Sequence, residues 1–277
     1  MGNNELRSKV HRGGDEEPTQ AYTLVRQGER RGANEDGAKK ATRYKLGIYL
    51  VADYPSRGTF LEAVRSCQEL GVDFLEVGFP FSDPVADGEV LERASQEALK
   101  HGAMGDFIEG FREARAIFKG RMYIMTYSNI VYSRGVAQFI ERVGPVSGLI
   151  LADLPLREIP LFEKGIKGAS TNIIRFLTPE SRSEDIALAL RGARDFIYFV
   201  SKRGTTGGGF DLDGETREKI GRVRGRGVPV YVGFGIQEKR DVDNAYRVAD
   251  GAIIGTKAVV ELERGIGPFR DFLSSLR

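Results

Sequence analysis

The chain has 277 residues, 41% of them hydrophobic, and its 41 Lys and Arg nearly balance 39 Asp and Glu. That length holds one large α/β domain or two small ones, and the charge balance gives neither nucleic acid nor an anionic membrane a reason to bind. Apolar runs are too short to span a bilayer and the N-terminus lacks the apolar core of a signal peptide, so a cytoplasmic location is expected. Cysteine occurs once and histidine twice, which argues against a zinc site. Cys67 falls in the series Phe60, Ala63, Val64, Cys67, Leu70, the spacing of a buried helix face.

Residues 1–44 are charged and glycine-rich, with Leu6, Val10, Leu24 and Val25 as their few large aliphatics. Such a segment buries too little apolar surface to offset its ordering entropy, and reads as a polar, disordered arm. From Lys45 the pattern becomes regular. Strands are predicted at Lys45–Ala52, Val72–Phe79, Arg121–Tyr127, Gly148–Leu154, Thr171–Phe176, Asp195–Val200, Val228–Gly233 and Gly251–Gly255. Helical patterns separate them, at Thr59–Leu70, Glu89–Lys100, Gly105–Phe118, Gly135–Val143, Ile159–Ile166, Ser183–Arg191, Gly214–Val223 and Gln237–Val248, and Pro268–Leu276 closes the chain. Eight short apolar strands, each followed by a helix, predict an α/β fold of the (β/α)8 TIM-barrel type over residues 45–277. A doubly wound open sheet is the competitor, and it would want a phosphate loop after the first strand that this chain lacks.

The second strand carries an anomaly. Glu76 interrupts the apolar run Phe74-Leu75-Glu76-Val77, and an ionised side chain there is costly unless paired, protonated or used. Asp87 follows eleven positions later (87 − 76), beyond Pro80 and Pro84, so a chain that doubles back brings both carboxylates over one pocket. Two acids in different surroundings suit proton transfer, because their pKa values can be pushed apart. Each also has a plainer reading: Asp87 as a helix N-cap, Glu76 as a solvated residue at a strand mouth. In a barrel, phosphate commonly binds at the loops after strands seven and eight. Here these are Gly233-Phe234-Gly235-Ile236 and Gly255-Thr256, where glycines admit close backbone approach and free amides attract an anion. The loop after strand six, Ser201 through Gly209, combines four glycines with Lys202, Arg203, Thr205 and Thr206, as a lid over a phosphorylated substrate or a flexible surface loop would. Tyr198 either turns its hydroxyl to the pocket or packs in the core.

The run Leu75-Glu76-Val77-Gly78 followed by Pro80-Phe81-Ser82-Asp83-Pro84-Val85-Ala86-Asp87-Gly88 closely resembles the signature of the tryptophan synthase α subunit family. The similarity covers about residues 46–260 and includes Met125 to Asn129, Leu151 to Pro155, Ser201 to Gly207, Gly233-Phe234-Gly235 and Gly255-Thr256. It implies a lyase of tryptophan biosynthesis that cleaves indole-3-glycerol phosphate by a retro-aldol reaction, with no cofactor or metal of its own. On the matching positions, Glu76 would be the general acid/base, Asp87 would hold the indole N–H, and Tyr198 would assist near the glycerol chain. Thr206 would meet the loop-two aspartate on closure. Gly207, Gly235, Gly255 and Thr256 would hold the phosphate, with Phe234 beside them, and Tyr127, Ala152 and Phe176 would line the indole pocket. The resemblance also implies an αββα complex with a pyridoxal-phosphate β subunit, with Asp83, Pro84 and Asn129 at or near the contact. In three respects the chain departs from the family, one being that the usual N-terminal helix covering the barrel's bottom is not evident. Val51-Ala52-Asp53-Tyr54-Pro55 differs from the usual loop after strand one, and Arg175 stands where an apolar residue is expected, on the side alternating with Phe176. Two other readings remain: a Mg²⁺-dependent prenyltransferase-like barrel with Asp87 or Asp153 as metal ligands, and a non-catalytic activator of a partner subunit.

Overall fold

The computed structural model describes residues 44–168, 171–200 and 212–277. Its strands are β1 (Lys45–Val51), β2 (Phe74–Gly78), β3 (Arg121–Thr126), β4 (Gly148–Leu151), β5 (Asn172–Ile173), β6 (Arg175–Leu177), β7 (Ile197–Val200), β8 (Val230–Gly233) and β9 (Gly251–Ile254). The helices between them are α1 (Arg57–Glu69), α2 (Glu89–His101), α3 (Met104–Ile117), α4 (Ser128–Ser133), α5 (Val136–Val143), α6 (Ile159–Gly165), α7 (Ser183–Gly192), α8 (Gly214–Arg224), α9 (Lys239–Val248), α10 (Thr256–Glu263) and α11 (Ile266–Ser275). Among the described residues no helix is long and apolar enough to cross a membrane.

Every strand pairing is parallel, in the order β5-β4-β3-β2-β1-β9-β8-β7-β6. β5 and β6 are two halves of one barrel position: the first pairs with β4 and the second with β7. Between them the Ile174 amide still donates to the Leu149 carbonyl at 2.9 Å, so one strand passes its pairing from one neighbour to the other and the ring has eight positions. The predicted fifth strand, Thr171–Phe176, is therefore found as a broken one. The sequence pattern also passes over α4 and α10, both of which start directly at strand ends.

Strands covered on both faces read as continuous apolar runs, and β2 is buried at all five positions. Alternation sends Leu75 and Val77 outward to the helices, and Phe74 and Glu76 into the lumen. Lumen residues form a separate cluster with Tyr123, Ile150, Ile174, Phe196, Tyr198 and Ile253. Its lower layer is aromatic. Phe74 stacks on Tyr231 at 5.2 Å and Tyr231 on Phe196 at 4.4 Å, while Tyr123 meets Phe74 and Phe196 edge-on. Edge-on and offset contacts are the favoured geometries for such rings. Outside the barrel, α1 turns Phe60, Ala63, Val64 and Cys67 inward, as the spacing predicted. Its N-terminus is capped by Ser56, whose hydroxyl accepts from the Thr59 amide at 3.2 Å.

The unusual loop after β1 faces away from the lumen and is tied to α3. Asp53 holds a left-handed backbone (φ 57°) and accepts two hydrogen bonds from Arg57, at 2.9 and 3.2 Å. Arg57 in turn reaches Glu109 and Glu113 on α3. Gly110 allows that approach, since a Cβ there would fall 2.1 Å from Asp53 Oδ1.

Arg175 points outward, opposite Phe176, and is buried against α6 and α7. Its Nη2 donates to Glu163 Oε1 at 2.6 Å and its Nη1 to the Ile173 carbonyl at 3.0 Å. Removing the acid would leave a buried guanidinium short of charge compensation, which costs about 3–5 kcal/mol in a fully buried pair. Glu163 is 34% exposed, so the expected loss for Glu163→Ala is smaller, about 2 kcal/mol. Arg175→Met, which removes the charge itself, is expected to fold with no such loss. Urea unfolding of the two variants checks the contrast.

Candidate active site

Where the strands end, a cavity of about 590 Å3 opens between the loops after β2, β8 and β9, over inward side chains of β1, β3 and β7. Glu76 and Asp87 both line it. Glu76 stands one strand over from Tyr49 in the β1–β2 ladder, near the middle of β2. It is 1% exposed, and among the described residues neither carboxyl oxygen has a hydrogen-bond partner. Burial pushes its pKa up to about 8, so the group is a proton donor at neutral pH. A buried polar group with nothing to bond is rare in a folded protein and marks a place where something else is to bind.

Asp87 is held differently. It sits half-buried just before Gly88, which is the N-cap of α2, so the N-cap reading belongs to the glycine and leaves Asp87 free for the cavity. Tyr127 donates to Asp87 Oδ2 across a long 3.3 Å, and the Tyr127 oxygen accepts from the Ala86 amide at 3.1 Å. Burial raises the Asp87 pKa, while the Tyr127 hydroxyl opposes that by favouring the ionised form. One acid thus has no donor and the other has a fixed one, so the two carboxyls sit in different surroundings.

Two phenols complete the deep end. Tyr198 lines the cavity, and its hydroxyl fills the space where Gly233 lacks a Cβ; Tyr49 does the same over Gly78. A Cβ on either glycine would fall 2.3 or 2.0 Å from the oxygen concerned. Burial, then the nearby carboxylates, hold both phenols well above their ordinary pKa, so they act only as neutral hydroxyls. Tyr49 was not anticipated. The available signal was its place on the inward side of the first strand, two residues before Val51.

The other expected residues divide. Phe234, Gly235, Gly255 and Thr256 line the same cavity. Phe234 and Gly235 have consecutive positive φ values, 90° and 75°, and the first is a strained conformation for a non-glycine residue. Gly255 is the N-cap of α10, whose first-turn amides have no partner within the helix. Tyr127, Ala152 and Phe176 do not border the cavity as the described residues outline it. Tyr127 braces Asp87, Phe176 packs on the Tyr198 ring at 5.1 Å, and the Ala152 amide donates to the Thr126 carbonyl. Thr206 and Gly207 lie outside the described residues. Asp153 is taken up by Ser128, which donates its amide and hydroxyl to the two carboxyl oxygens at 2.6 and 2.8 Å. Among the described residues no three His, Cys, Asp or Glu side chains converge as a metal site.

Known proteins resemble the chain along most of its length. The profile of the tryptophan synthase alpha chain family matches residues 36–271. A tryptophan synthase alpha chain of Dehalococcoides mccartyi is 33% identical over 244 residues, covering 85% of this chain and 94% of its own. Its counterpart from Methanosarcina mazei is 35% identical over 221 residues, covering 78% and 80%. Among solved structures, tryptophan synthase from Mycobacterium tuberculosis superposes with a TM-score of 0.76 at 31% identity, over 85% of this chain and 91% of that one. The parallel ring, the two acids over one cavity and a match across most of the sequence lead to one conclusion: the chain belongs to the tryptophan synthase alpha chain family.

Proposed function

We propose that Glu76 and Asp87 divide the acid/base and charge-stabilising roles of the family's reaction between them, in a catalytic unit spanning residues 45–277. As a tryptophan synthase alpha chain the protein is a lyase of tryptophan biosynthesis that cleaves indole-3-glycerol phosphate to indole and glyceraldehyde 3-phosphate. The observation that carries the division of roles is the unpartnered, buried, protonated carboxyl of Glu76 facing the same cavity as the glycine turns at Gly235 and Gly255.

Indole leaves a carbon chain only when its C3 bears an added proton. Glu76 supplies that proton, and positive charge moves to the ring nitrogen. Asp87, whose ionised form the Tyr127 hydroxyl favours against the effect of burial, accepts a hydrogen bond from that N–H and stabilises the charge. The carboxylate left at Glu76 then takes the proton of the adjacent hydroxyl. The oxygen's electrons form the aldehyde, the C–C bond breaks, and its pair returns to the ring. One proton is given and one received, so Glu76 ends as it began. Acid/base catalysis of this kind supplies roughly 10²–10⁴-fold. Amides near Gly235, Gly255 and Thr256 anchor the phosphate, converting remote binding into orientation. Tyr198 directs its hydroxyl to the glycerol chain.

The chain needs no cofactor of its own for these steps; the pyridoxal phosphate of the complete synthase belongs to a β subunit, to which this chain hands indole in an αββα assembly. We place that assembly in the cytoplasm. The test is indole release from indole-3-glycerol phosphate, with chelator present, with and without a β subunit. Turnover that persists in chelator and rises with the β subunit is the expected result. Activity that vanishes on chelation would favour a metal-dependent barrel enzyme instead, and stimulation of the partner without any lyase turnover would favour an activator.

A further inference from the structure

The amides proposed to hold the phosphate have a cation beside them. Lys257 is the second residue of α10, and its side chain lines the cavity with Gly235, Gly255 and Thr256. A positive charge in a helix's first turn faces the positive end of the macrodipole, an unfavourable place unless an anion is bound there. No acidic residue in that first turn offsets it. In the structure the ammonium instead reaches one turn along, donating to Glu261 Oε1 at 2.6 Å.

That tether is dispensable. Glu261 is buried, and its second oxygen accepts from Arg264 Nη1 at 2.9 Å. Losing one partner of a buried carboxylate ordinarily strands its charge; here Arg264 remains. The Lys257 side chain is 35% exposed, on a flexible four-carbon stem free to swing. Independently of the helix terminus, the unpartnered buried carboxyl of Glu76 points into the same cavity and marks it as built for a ligand.

We propose that Lys257 binds the substrate's phosphate, its ammonium turning from Glu261 to the phosphate oxygens when a phosphomonoester enters. This rests on the reading that the glycine turns and α10 amides form the anion end. Glu261 then competes with substrate for the lysine. Because the phosphate is remote from the reacting carbons, the contact is equal in ground and transition states and changes KM rather than kcat.

The test measures KM for indole-3-glycerol phosphate and the inhibition constant of inorganic phosphate in four variants of the full chain. Lys257→Gln is expected to raise both constants about tenfold, the scale of one charge-assisted contact, with kcat nearly unchanged. Lys257→Arg keeps the cation and stays near wild type. Glu261→Gln releases the lysine and lowers both constants, by about threefold for a partly exposed pair. Gly255→Val is the control for the underlying site. A Cβ there meets nothing nearer than Tyr49 Cβ at 3.7 Å, so there is room for a side chain at the anion end, and circular dichroism checks that the variant is folded. If Gly255→Val weakens phosphate and Lys257→Gln does not, the lysine proposal fails and the amide site stands. If neither weakens it, the phosphate lies elsewhere and both fail. A fall in kcat at unchanged KM for Lys257→Gln also overturns the assignment, since it would show a role other than phosphate binding.

Discussion

Replacing Glu76 by Gln is expected to reduce indole formation by at least roughly 10²-fold, because the amide can neither give nor take the proton that acid/base catalysis moves. The same substitution should alter the pH dependence of stability. In the folded protein the carboxyl titrates near 8, against an ordinary 4.5. Below 4.5 both folded and unfolded chains carry the proton, and the group adds no pH dependence. Between 4.5 and 8 the unfolded chain releases it while the folded chain keeps it, so wild-type stability falls as pH rises through that window. Integrated over the shift, the penalty is on the order of 5 kcal/mol. Glu76→Gln has no proton to lose and should flatten that slope. Urea denaturation at a series of pH values reads the slope, and an indole assay reads the activity. Parallel slopes in the two proteins would mean that the carboxyl is solvated rather than buried and dry.

Asp87→Asn is expected to lower kcat by roughly 10²–10³-fold, the cost of removing one preorganised electrostatic partner of a developing charge. KM should change little, because the charge on the indole nitrogen exists only on the way to the transition state. Tyr127→Phe provides a graded comparison. It leaves the carboxylate but removes the hydroxyl that favours its ionised form. Its activity should fall less, since the carboxylate itself remains. Steady-state kinetics at neutral pH separates the two. If Asp87→Asn raised KM while leaving kcat intact, Asp87 would be a binding residue with no part in charge stabilisation.

The barrel was legible because its signal is repetitive: each strand is a short apolar run and each helix a face of apolar residues at helical spacing. What periodicity could not show were the points where it lapses. Ile174 pairs with β4 while Arg175 begins the pairing with β7, and nothing in Thr171–Phe176 signals that exchange. α4 and α10 start without a side-chain cap, directly at strand ends, so no composition break announces them. In the site, Glu76 stood out because a lone acid among apolar strand residues costs free energy unless it serves. Tyr49 did not, since a tyrosine in a strand is ordinary core; only its register opposite Glu76 gives it meaning. Lys257 and Glu261 lie in α10, which the sequence pattern passes over, and the cavity beside them became visible only in three dimensions.

The stacked rings of Phe74, Tyr231 and Phe196, closed by Tyr123, have a bearing on traffic. Among the described residues they fill the lumen below the cavity, so indole leaves on the side where the strands end rather than along the barrel axis. An acceptor of indole is then met on that side. A dead-end chamber also denies bulk water a second route to Glu76, which helps keep its proton in place until a ring arrives to receive it.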